Sequence, residues 1–151
     1  MMYKMLISTV RRHLKETIPV IKQLTEINVM SRPIDSGREI GEIVLHMLRS
    51  LEYYMKGITT NQWEPLAYYL ETYDSAELII ELAEKVFEKV KVYTSLISTS
   101  DLGRNIESFS RPATVAELIL GMVEHSIHHR GQITAYYRLL GVEPVPIPYI
   151  I

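Results

Sequence analysis

The chain contains no cysteine, and that single absence excludes disulfides, thiolate metal ligands and a cysteine nucleophile together. Any metal site must therefore be built from His, Asp or Glu. A surplus of basic charge is also missing: 16 Lys and Arg stand against 18 Asp and Glu, a formal net charge of −2, without the positive field that drives binding to a phosphate backbone. Nucleic acid is not an expected partner. Apolar runs such as Ile43-Val44-Leu45 and Leu78-Ile79-Ile80 fall far short of the roughly 20 residues that span a bilayer. The first residues are soon interrupted by Arg11 and Arg12, with no apolar stretch leading to a small-residue cleavage site. The expectation is a cytoplasmic protein with no membrane partner.

What is present is enough to fold. A length of 151 residues, 47% of them hydrophobic and 23% charged, predicts one globular domain over 1–151 with a core of its own. Helical periodicity runs through four segments. The first, about 3–29, has Leu6, Val10, Leu14, Ile21 and Leu24 on one side and Lys4, Arg11, Lys15 and Lys22 on the other. Pro19 removes a backbone donor within it and predicts a bend or a split. The second, 36–57, opens on Ser36-Gly37-Arg38-Glu39, the pattern of a capping box. The third, 74–97, carries Leu78, Leu82, Val86 and Val90 at helical spacing, and the fourth, 114–140, opens on Thr114 with Glu117 three residues on and stops at Gly141.

The connections differ in kind. A short turn containing Pro33 predicts that helices one and two are antiparallel neighbours. The stretch from Ile58 to Tyr73 is longer than a turn needs and can cross the bundle. Its aromatic part, Asn61 to Tyr69, can cover one end of a core. The tail, 142–151, alternates proline with apolar residues and must run extended against the bundle or a second subunit. With ten tyrosines, the same tail suggests a homodimer.

Four histidines bear on metal binding. Residues four apart on a helix share a face, so His125 and His129 can turn ring nitrogens toward one ion. On helix four they lie with Val115, Leu118, Met122, Ile133, Tyr136 and Leu140, the inward stripe. Two imidazoles buried without partners are costly, and a shared ion removes that cost. His128 projects sideways with Glu117, Gly121 and Glu124, as a rim or ion-pair residue. His13 has no partner at ligand spacing and reads as structural. On helix two, His46 projects away from the centre of the stripe through Ile40, Ile43, Val44, Met47, Leu51, Met55 and Ile58, and pattern alone leaves it between ligand and boundary residue.

The segment Glu124-His125-Ser126-Ile127-His128-His129-Arg130-Gly131-Gln132-Ile133 resembles the closing motif of the DinB-like superfamily, which includes the YfiT-type metalloenzymes: His-x-x-x-His-Arg-Gly-Gln and an apolar residue. Ile43 to Tyr54, an apolar run with His46 and an aromatic eight residues on, is similar to that family's helix-two motif, with Tyr54 where the family often has Trp. The resemblance covers nearly the whole chain. It implies an all-α four-helix bundle with a long crossover between helices two and three. It also implies one divalent metal ion, zinc or nickel in the first instance, held by His46, His125 and His129.

Three neutral imidazoles would leave at least one coordination position open, as in catalytic sites. Water there would serve a hydrolase; a small-molecule thiol cosubstrate would serve a thiol transferase of the kind found in the superfamily. A non-catalytic or stress-associated metal-binding protein is the alternative. The helix is not that of a metalloprotease, since Ser126 replaces the Glu that follows the first zincin histidine. His128 and Glu124 are the candidate catalytic acid–base residues. Arg130 and Gln132 can orient ligands or join helices, and Gly131, unfavourable within a helix, predicts close approach by a neighbouring backbone.

Overall fold

The computed structural model describes residues 1–148; the expected tail residues 149–151 lie outside the described part. Helix α1 spans Met2–Lys22 and continues through Pro19 without a break. Pro19 lies in its last turn, where only one ladder bond is lost. A 3-10 turn, Gln23–Glu26, then brings the chain to an extended Ile27, so helix one ends well before residue 29.

Helix α2 spans Ile40–Thr60 and opens four residues later than the Ser36 box suggests. Its first amides are satisfied otherwise: Ile40 N–H donates to Ser31 O and Gly41 N–H to Val29 O, both at 2.9 Å. The turn that precedes α2 caps it through the backbone, and Ser36 is not needed. Helix α3, Ala76–Leu96, is capped by Ser75, whose side chain accepts from Leu78 N–H. Leu78 itself is exposed, and Ile79 takes the inward position with Leu82, Val86 and Val90. Helix α4, Val115–Leu139, opens on the expected Thr114–Glu117 capping box, and Gly141 beyond it has φ +82°. Before α4 lies a strand pair that periodicity cannot reveal. Strands β1, Asn105–Ile106, and β2, Ala113–Thr114, are two residues each and antiparallel.

Side-chain contacts fix the directions of the helices. Along α1 and α4, His13 meets Ser126 and Val20 meets Tyr137, so the two are parallel. Tyr3 meets Ile97 and Lys22 meets Glu84, so α1 and α3 are antiparallel. Tyr54 meets Phe109, ahead of α4, while His46 meets His125, so α2 runs against α4. It follows that α2 and α3 are parallel, and residues 61–75 form the crossover that the bundle requires. Helices α1 and α2 each pack on α3 and α4. They are antiparallel as expected, but stand diagonally across the core and are not neighbours.

The crossover is pinned by polar contacts. Arg49 reaches Glu42 and the Tyr68 carbonyl, while the Tyr68 hydroxyl donates to Glu52 Oε2 at 2.7 Å and Lys89 Nζ to Glu52 Oε1 at 2.8 Å. Tyr53, Tyr54, Trp63 and Phe109 stack at the far end of α2, with ring centroids 5.1–5.9 Å apart. The tail folds back on its own chain, where Gln23 donates to Glu143 O at 3.0 Å and accepts from Val145 N–H at 2.8 Å. Among the described residues, no helix is long and apolar enough to cross a membrane.

Two glycines make opposite predictions. A Cβ on Gly57 would collide with the Trp63 ring, whereas one on Gly131 would meet nothing within 4 Å. The close approach expected at Gly131 is thus absent within the described chain; its place on the outer side of α4 leaves it exposed. Gly131→Ala should stabilise the fold by about 0.5–1 kcal/mol through helix propensity. Gly57→Ala should destabilise it by roughly 1–3 kcal/mol through overpacking. Urea denaturation midpoints check both, and equal shifts of one sign would contradict the packing described.

Candidate metal centre

The site lies at mid-height where α2 and α4 run past each other. His46 comes from α2, and His125 and His129 come from successive turns of α4. His125 Nε2 stands 3.1 Å from His46 Nε2 and 3.0 Å from His129 Nε2. Ring centroids are 4.4–5.0 Å apart, with the rings edge to face. All three expected ligands therefore converge, including His46, which is half-buried as its boundary position suggests.

Proton accounting shows why this cluster suits a cation. His129 Nδ1 lies 2.7 Å from Gln132 Oε1; a carbonyl oxygen only accepts, so Nδ1 carries the proton and Nε2 presents a lone pair. Burial foremost, then the neighbouring positive groups, lowers the pKa of His46 to about 4 and also lowers those of His125 and His129, with Gln132 partly opposing the shift at His129. All three are neutral at pH 7. The central His125 Nε2 either carries a proton, which it can give to one neighbour, or carries none, and then faces the bare nitrogen of His129. Either way, one N···N contact of about 3 Å lacks a good hydrogen bond. A divalent ion shared by the three nitrogens would remove that repulsion. His125 Nδ1 is buried and has no partner among the described residues.

Exposed Arg38 lends a minor positive influence to all three imidazoles, after burial and the neighbouring groups, and no ion pair to Arg38 is formed among the described residues. Arg49, by contrast, is paired with Glu42. The three histidines group together without a carboxylate among the described residues. His128 is exposed, with its ring 5.1 Å from that of His129, and Glu124 is exposed on the outer face. Arg130 points away from the cluster: its Nη1 lies 3.2 Å from Thr17 Oγ1 and 3.5 Å from Glu16 Oε2. It joins helices, while Gln132 orients a histidine. His13 is 3% exposed and, as expected, sits outside the cluster, bonded to Ser126. Its bond to α4 carries no local sequence signal beyond the inward setting of both residues.

Fold and site together define an all-α four-helix bundle with a three-histidine cluster that could hold a metal ion. The chain belongs to the DinB family, whose model matches residues 2–150. It is similar to the uncharacterized protein YjoA of Bacillus subtilis (strain 168), with 22% identity over 138 residues that cover 89% of this chain and 88% of that protein. The crystal structure of YjoA, described as a DinB-like protein, superposes with a TM-score of 0.77 at 21% identity, covering 96% of each chain. At that identity the likeness speaks for the fold.

Proposed function

We propose that the chain is a metal-dependent enzyme for a small anionic substrate, with His46, His125 and His129 holding one divalent ion through Nε2. The observation that carries this reading is the convergence of three neutral Nε2 atoms while the other nitrogen of His129 is already engaged by Gln132. Such second partners fix a ligand's tautomer and raise its basicity. Imidazole donors suit zinc and nickel. The ion, when bound, supplies Lewis acidity and lowers the pKa of whatever fills the open position, water for a hydrolase or a small thiol for a transferase.

The chain's own groups select the charge of that occupant. Among the described residues the cluster contains no carboxylate, so the ligands leave the positive charge uncompensated. Arg38 adds to it. A thiolate or a carboxylate-bearing substrate is favoured over a neutral one. His128, exposed with its ring 5.1 Å from that of His129, is the better of the two candidate catalytic residues, since Glu124 makes no comparable contact with the cluster among the described residues.

The test uses the full chain loaded with zinc or nickel. Thiol consumption with carboxylate-bearing electrophiles, and hydrolysis of carboxylate-bearing esters, are measured in parallel. Metal-dependent turnover lost in His46→Ala is expected, with KM raised about two- to fivefold in Arg38→Met, the scale for an exposed charge screened by solvent. Stoichiometric metal without turnover across both panels would overturn the enzymatic reading and leave a metal-binding protein.

A further inference from the structure

Helix α4 carries two residue pairs at the same spacing. His125 and His129 face α2; Ser126 and Arg130, each one residue further on, face α1. One residue is about 100° of helix, so the second pair addresses the other neighbouring helix. Ser126 is fully buried, and its Oγ lies 2.6 Å from His13 Nε2. Arg130, 5% exposed, brings Nη1 to 3.3 Å from His13 Nδ1, beside its contacts with Thr17 and Glu16. A guanidinium only donates. His13 Nδ1 must therefore accept from Arg130, its proton sits on Nε2, and Nε2–H donates to Ser126 Oγ. The roles of His13 and Arg130 in this seam are thereby fixed.

We propose that the His13–Ser126 and Arg130–Thr17–Glu16 seam is a rotational lock for the histidine cluster, setting the angle of α4 against α1 so that His125 and His129 aim at His46. Its effect on metal affinity rests on the metal reading above; its geometry does not. A histidine Nε2 stands about 7 Å from its helix axis, so a rotation of about 10° moves it by roughly 1 Å. Ligand distances in metal sites hold within about 0.2 Å. Apolar packing is non-directional and tolerates such a rotation, whereas hydrogen bonds weaken steeply as they bend. His13, Ser126 and Arg130 touch no ligand nitrogen. They are positioning residues.

The experiment titrates the full chain with Co(II) alone, reading affinity by competition and geometry by the visible absorption bands. His13→Leu and Ser126→Ala should weaken binding about 10–100-fold, the range for outer-shell partners, and shift the bands. His13→Gln, whose amide can still donate to Ser126, should restore most of both. Wild-type affinity and spectrum in His13→Leu or Ser126→Ala of native helical content would overturn the lock. If the unaltered chain binds no Co(II), the metal reading fails by itself. The lock is then judged on the metal-free chain, by the NOE between the His46 and His125 rings: lost in His13→Leu and kept in His13→Gln if the lock holds, kept in both if it does not.

Discussion

Replacing His129 with alanine should cost the chain at least about 100-fold in zinc affinity. Four-ligand zinc sites are worth about 10–16 kcal/mol, or roughly 3 kcal/mol for each ligand, and 1.4 kcal/mol is tenfold. His125→Ala should lose as much, because its Nε2 is the one within 3.1 Å of both other ring nitrogens. Gln132→Ala should lose less, about tenfold, since it removes a partner of the ligand and not the ligand. Metal content of untagged protein and competition titration check the series. A wild-type chain that stays metal-free under metal-replete conditions, or three variants that bind as it does, would sink the assignment. The ordering matters as much as the size: adventitious binding to exposed histidines would respond to His128, which is exposed, and not to half-buried Gln132.

The helices were legible in the sequence because their signals are local. Thr114 and Glu117 make a capping box from four consecutive residues, and it forms as written. The same pattern at Ser36 does not cap α2, because the helix opens only at Ile40, where the carbonyls of Ser31 and Val29 take the Ile40 and Gly41 amides; that start depends on how the preceding turn folds, which no short window contains. The pair His125 and His129 was legible for the same local reason. His46 was not legible from local pattern and came only with the family resemblance, since its projection is defined only once α2 lies against α4 and the crossover fixes their order. Gly131 misled because the absence of a side chain looks alike in sequence whether a neighbour presses there or nothing does. Gly57, pressed by Trp63, is the one that needs its missing Cβ. The diagonal placement of α1 and α2 likewise follows from the long crossover and not from the turn that joins them.

Acid should destabilise the metal-free chain more steeply than its carboxylates alone require, and His13, the most buried and most shifted of the lowered histidines, contributes most. Burial, reinforced by the Arg130 charge beside it, lowers its pKa to about 3. The unfolded chain takes a proton at about pH 6.5 that the folded chain refuses until about pH 3. Stability from this group is therefore full above pH 6.5 and falls as pH drops toward 3, by about 1.4 kcal/mol per unit. At pH 4.5 the loss is roughly 3 kcal/mol. Every group that faces His13 works in this direction or is neutral: Arg130 repels the second proton, and Thr17 and Ser126 can only adjust their hydroxyls. Glu16 is engaged by two guanidinium groups, that of Arg130 at 3.5 Å and that of Arg12 at 3.9 Å. His13→Gln keeps the donor to Ser126 but cannot titrate, so its stability should fall less between pH 7 and 4.5, by about that same 3 kcal/mol. Urea denaturation of both proteins at the two pH values decides it; parallel losses would mean that His13 takes up its proton inside the fold without resistance.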